Sequence, residues 1–170
     1  MITDLYEYCE SAIENPNVKN KASAYEYLVK RYFESCFNET KYTIDLFPII
    51  EKCDDKEKFW TPDIEIGTRI NQIEIRIVIE IKFFEDSSIN KKVARTKSRQ
   101  RMKEYENAYI KKFQNNIIVP IFVTQNSSFD NNPDRYPCIV LSSKELKENP
   151  QKKFLEVNET FQKSIVEKIG

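Results

Sequence analysis

The chain has 170 residues, 40% of them apolar, with 27 basic and 27 acidic side chains and a formal charge of zero. This suits one compact domain with a real core, and no stretch approaches the ~20 consecutive apolar residues of a membrane span. There is no histidine, which excludes Ser-His-Asp and Cys-His hydrolases, HExxH metalloenzymes and histidine-ligated nucleases. The only glycines are Gly67 and Gly170, too few for a P-loop or a GxGxxG turn.

Residues 3–14 read as a short helix with Leu5, Cys9, Ala12 and Ile13 on one side. Its acids, Asp4, Glu7, Glu10 and Glu14, are the opposite of a secretory leader, so the cytoplasm is the expected location. Asn15-Pro16-Asn17 stops it. A second helix spans about 21–37, with Ala22, Tyr25, Val29, Tyr32, Phe33 and Cys36 at helical spacing. Residues 42–50 predict a strand closed by a polar turn at Cys53-Asp54-Asp55-Lys56. Residues 60–66 and 73–84 alternate with period two and predict an antiparallel hairpin. In the second, Ile73, Ile75, Ile77, Ile79, Ile81 and Phe83 share one face, and Glu74, Arg76, Val78, Glu80 and Lys82 share the other.

A basic helix is expected over 88–113, with Met102, Tyr105, Tyr109 and Phe113 as its seam. Between Lys91 and Lys112 nine basic residues face two acids, a net +7 that the rest of the chain must balance. Residues 116–124 read as a buried strand, with Pro120 demanding a bulge or an edge. A short strand follows over 138–141. A last helix after Pro150 carries Phe154, Val157, Phe161, Ile165 and Ile169 on one face, which reads as core or as a dimer seam. The order α-α-β-β-β-α-β-β-α predicts an α/β (α+β) domain with a mixed central β-sheet flanked by helices, over residues 1–170 with its core at about 22–125. Cys9, Cys36, Cys53 and Cys138 form no CxxC pair and read as buried free thiols.

A hairpin turning at Asn71-Gln72 sets Asp63 opposite Glu80, with Cβ atoms ~5 Å apart. Lys82 then lies two residues on, ~6–7 Å along the same face. Facing carboxylates destabilise a sheet unless something positive lies between them. A hard cation such as Mg²⁺ takes one or two carboxylates and completes its shell with water and phosphate oxygens. Asp63, Glu80 and Lys82 are thus a minimal phosphodiester hydrolysis set that needs no histidine. Glu65 shares Asp63's face and is the alternative ligand.

Pro62-Asp63, sixteen intervening residues and Glu80-Ile81-Lys82 resemble the PD-(D/E)XK, restriction-endonuclease-like nuclease superfamily. The likeness covers roughly residues 22–124. It implies a restriction-endonuclease-like core, Mg²⁺ (with Mn²⁺ as a substitute) held at Asp63, Glu80 and Ile81, and catalytic roles for Asp63, Glu80 and Lys82. It also points to Glu26 on the helix before the sheet and to Gln100 on the helix after it. Gln100 and Tyr105 are one residue too far apart for the Q-x-x-x-Y branch. Small size and the early glutamate look like archaeal Holliday-junction resolvases and small viral nucleases. Nucleic acid would lie along Lys91, Lys92, Arg95, Lys97, Arg99 and Arg101, by phosphate contact. The resulting expectation is a Mg²⁺-dependent endonuclease acting as a homodimer on duplex or branched DNA. The alternative is a catalytically inert nucleic-acid-binding module of the same fold.

Overall fold

The alternating isoleucines become the centre of a sheet with helices on both sides. The computed structural model describes residues 2–15, 20–37, 41–55, 57–83, 91–125 and 136–170, and for residues 2–6, 8 and 91–95 the main chain alone. Its elements are α1 (Ile2–Glu14), α2 (Lys21–Cys36), β1 (Tyr42–Asp45), β2 (Ile50–Glu51), β3 (Phe59–Trp60), β4 (Ile64–Ile70), β5 (Ile73–Lys82), α3 (Lys91–Lys112), β6 (Ile117–Thr124), β7 (Cys138–Val140), α4 (Ser143–Glu148) and α5 (Pro150–Ile169). Five strands form a mixed sheet in the order β1-β4-β5-β6-β7. The β1, β4 and β5 strands are antiparallel, whereas β6 and β7 run parallel to β5. The parallel step from β5 to β6 needs a long crossover, and α3 lies within it.

The β4–β5 hairpin turns at Asn71-Gln72 as its pattern predicts, pairing Ile70 with Ile73 and Ile64 with Ile79. Both turn residues have positive φ, 47° and 70°, as a two-residue turn between twisted strands requires. Ile64, Ile66, Ile75, Ile77, Ile79 and Ile81 point to one face, beneath α2 and α5. Each such side chain contributes roughly 1.5–3 kcal/mol on leaving water. Tyr25, Leu28, Val29, Tyr32 and Phe33 repeat at i, i+3, i+4, i+7 and i+8, so α2 buries one continuous stripe there. Phe37, Phe161 and Phe154 extend it as an aromatic cluster with centroids 5.4–5.5 Å apart around Phe37. The other face is covered by α3 through Met102, Tyr105, Ala108 and Tyr109, packed on Val78, Ile118 and Phe122.

Several boundaries differ from the sequence reading. Residues 42–50 are not one strand: β1 ends at Asp45, and β2 leaves the main sheet to pair with β3 as a separate two-stranded ribbon. The expected strand at 60–66 is likewise broken between β3 and β4, because Pro62 has no N–H to give a ladder. The start of the basic helix at 88 lies outside the described residues. A short helix, α4, was not anticipated. It begins at a capping box in which Ser142 and Glu145 satisfy each other's main-chain N–H groups. Ile169, expected on the buried stripe of α5, is half exposed, and Ser164 takes a buried place instead. The cysteines are free, but only Cys9 is buried and Cys53 is exposed.

Pro120 is accommodated as an edge residue would be. In β6 the N–H of Phe122 donates to Pro137 on the β7 side, so the nitrogen of Pro120, two residues earlier, faces that side too. Pairing with β7 starts only at Phe122, so no ladder bond is lost at Pro120. Among the described residues no helix is long and apolar enough to cross a membrane.

Candidate functional site

Asp63 and Glu80 meet where the β4–β5 ladder ends. The last regular pair is Ile64 with Ile79, and one step further the Asp63 N–H still donates to the Ile79 carbonyl at 3.1 Å. Asp63 Oδ2 then accepts the Ile81 N–H at 2.6 Å, so the aspartate side chain caps the main chain beside Glu80. Buried Pro62 fixes the approach to this position. Glu80 follows Val78 on the α3 face and is only 4% exposed. Lys82 Nζ lies 2.7 Å from Glu80 Oε1. Among the described residues Glu80 Oε2 is buried without a hydrogen-bond partner. A buried carboxylate oxygen in that condition is costly unless something else satisfies it.

The electrostatics record the crowding. Burial first, then the Glu80 charge, push the Asp63 carboxyl up to about 7; Glu26 adds to the rise, while the Ile81 N–H and Lys82 oppose it. Glu26 therefore belongs to the field of the pair, from α2, and is itself held 3.0 Å from Lys30 Nζ. Across the site, burial and then Glu80 raise the phenol of Tyr105, Asp63 adds a little, and Arg101 lowers it. Two carboxylates thus share Lys82 here, while Glu26 adds its charge from α2 with Lys30 already paired to it.

The sequence-predicted residues thus divide into groups. Asp63, Glu80 and Lys82 come together, and Glu26 reaches Asp63 through its charge. Ile81 offers only its main chain, and its N–H is the one that Asp63 takes. Gln100 is exposed on α3. The α3 side chain that bears on the carboxylates is Tyr105, and Arg101, four residues away and so on the same face, acts on the Tyr105 phenol. From sequence, Arg101 falls in the phosphate-binding run and Tyr105 in the apolar seam, one residue too far from Gln100 for the Q-x-x-x-Y pattern. The signal was the i, i+4 relation, which joins Tyr105 to Arg101 and leaves Gln100 a full 100° round the helix.

Glu65, the alternative ligand, is committed elsewhere. It pairs with Arg76 and accepts the Tyr109 hydroxyl at 2.7 Å. Arg76 in turn donates to Asn116 and lies 3.7 Å over the Phe113 ring. Of the basic run, Lys97 and Arg101 are exposed and Arg99 is half-buried. The side chains of Lys91, Lys92 and Arg95 lie outside the described residues.

Among the described residues no three His, Cys, Asp or Glu side chains gather as a ligand cage. The donors on offer are two carboxylates with one buried oxygen unsatisfied. That set fits a magnesium-type cation, which takes one or two carboxylates and keeps its other positions for water and phosphate. It is too few for zinc, which takes four protein ligands in structural sites and three with a water in catalytic ones, mostly histidine or cysteine. No family model matches the chain, and no curated protein matches it.

Proposed function

We propose that the protein is a metal-dependent nuclease of the PD-(D/E)XK superfamily, with a restriction-endonuclease-like core, that hydrolyses DNA phosphodiester bonds. The observation that carries this reading is the meeting of Asp63 and Glu80 at the end of the hairpin, one oxygen of Glu80 buried without a partner among the described residues and Lys82 against the other. Asp63 and Glu80, with the main chain at Ile81, would hold Mg²⁺ or Mn²⁺. Such an ion would supply a water of lowered pKa and polarise a phosphoryl oxygen.

The remaining work falls to the chain. Lys82 keeps its ammonium beside Glu80, where it orients the attacking water and steadies charge growing on the phosphoryl oxygens. Arg101, one turn from Tyr105, places a second cation on the same side for the nucleic-acid backbone. Glu26 keeps the field negative when the cation is absent, which favours its capture. Cutting both strands of a duplex or a junction calls for two such sites, so a homodimer is part of the proposal.

The test is cleavage of labelled linear duplex, single-stranded and four-way-junction DNA with Mg²⁺, with Mn²⁺ and with EDTA. Metal-dependent cleavage is expected that vanishes in Glu80→Ala and Glu80→Gln and falls by about 10²–10³-fold in Lys82→Met. Cleavage that persists in EDTA or in Glu80→Gln would remove the carboxylate pair from the reaction. Salt-sensitive binding with no cleavage of any substrate would leave a binding module instead.

A further inference from the structure

Next to the carboxylates, the one tryptophan of the chain collects two cations from different elements. Trp60 ends β3 and stands edge-on to Tyr105, with ring centroids 5.7 Å apart at 68°. Lys52, just after β2, is tied to Lys58 by a 3.0 Å main-chain hydrogen bond and brings its Nζ to 3.8 Å from the Trp60 ring centre. Arg101 brings its guanidinium carbon to 5.4 Å from the same ring. Among the described residues neither cation has a carboxylate within ion-pair distance. The ribbon's Asp55 is already paired with Lys58 at 3.2 Å.

Two like charges drawn to one ring repel each other, and the indole face offsets only part of that cost. An anion shared between them would offset the rest. Tyr105 links this position to the carboxylates, since it packs on Trp60 and carries the influence of both Glu80 and Arg101. An anion between Lys52 and Arg101 would therefore be separated from Glu80 by the Tyr105 ring. A nucleic-acid strand supplies phosphates at a regular repeat, so one of them can sit here while its neighbour is at the carboxylates.

We propose that Lys52 and Arg101, held over Trp60, form a clamp for a backbone phosphate next to the scissile one. The proposal rests on the nuclease reading for the word scissile, but the clamp binds with or without chemistry. As the sole tryptophan, Trp60 is its own reporter.

The full chain in EDTA is titrated with a short oligothymidylate and, separately, with inorganic pyrophosphate, following tryptophan emission at several salt concentrations. Wild type is expected to give a saturable change that weakens with salt. Lys52→Gln and Arg101→Gln should each weaken binding about 3- to 10-fold and lower the oligonucleotide's salt slope by about 1. Lys52→Arg should restore most of the affinity. Lys163→Gln, an exposed change on α5, should alter it less than about twofold. Circular dichroism and melting of each variant report its folding. Equal binding by Lys52→Gln, Arg101→Gln and Lys163→Gln overturns the clamp and leaves the nuclease reading to the cleavage assay. No binding by wild type overturns the clamp as well. Clamp-dependent binding without metal-dependent cleavage upholds the clamp and rejects the nuclease.

Discussion

Asp63 binds its proton more tightly in the folded chain than in the unfolded one, because burial and the Glu80 carboxylate both disfavour its charge. Its ordinary value is 3.8 and its folded value about 7. Between those values the folded state carries the extra proton, so this group's contribution to stability falls as pH rises from about 4 to about 7 and then levels off. The size is on the order of a few kcal/mol in the metal-free protein. Asp63→Asn can still accept the Ile81 N–H and removes the charge. It should therefore melt higher than wild type at pH 8 in EDTA, with the difference shrinking towards pH 4. A divalent cation should raise the wild-type melting temperature at pH 8 and leave the variant's nearly unchanged. Equal melting of the two proteins at pH 8 without metal would refute the linkage.

At the scale of elements, the β4–β5 hairpin decides the site, because a slip of one residue would send Asp63 to the opposite face from Glu80. Its turn is held by two residues of positive φ, of which Asn71 tolerates that conformation and Gln72, at 70°, does so at a cost. Gln72→Gly should stabilise the protein by about 0.5–1 kcal/mol, read as a higher urea midpoint at constant slope. A lower midpoint would mean that the Gln72 side chain contributes more than its backbone strain costs. The register itself was legible from Asn71-Gln72 and the alternating isoleucines. The azimuth of α3 was not. Its seam of Met102, Tyr105 and Tyr109 follows from spacing, but Gln100 and Arg101 are neighbours on its shoulder, and only the packing of that helix over Val78 and Phe122 brings Arg101 to the Trp60 ring.

Across the whole molecule the two faces of the sheet carry different duties. One is filled by α2, α5 and an aromatic cluster, while the other, under α3 and the ribbon, admits Glu80. Phe161 is 1% exposed and touches the rings of Phe33 and Phe37, so α5 is joined to α2 through the common core. Phe161→Ala should cost about 3–5 kcal/mol. Urea unfolding followed by both circular dichroism and fluorescence should shift as one transition. Two separated transitions, with fluorescence from Trp60 unmoved, would show that α5 unfolds apart from the sheet.

The sequence by itself determined the element types, the alternation that divides β5 into two faces, the register of its hairpin and the exclusion of histidine chemistry. These depend on local periodicity, which the chain carries in its own spacing. Tertiary structure decided that the second face of β5 is covered rather than wet, so that Glu80 is buried with one oxygen short of a partner among the described residues. It also decided that Glu65 is spent on Arg76 and Tyr109, and that residues 42–66 break into separate strands that set Trp60 against Tyr105. Each of those outcomes depends on which distant element lies alongside, a matter of sheet order and helix rotation that no local pattern contains.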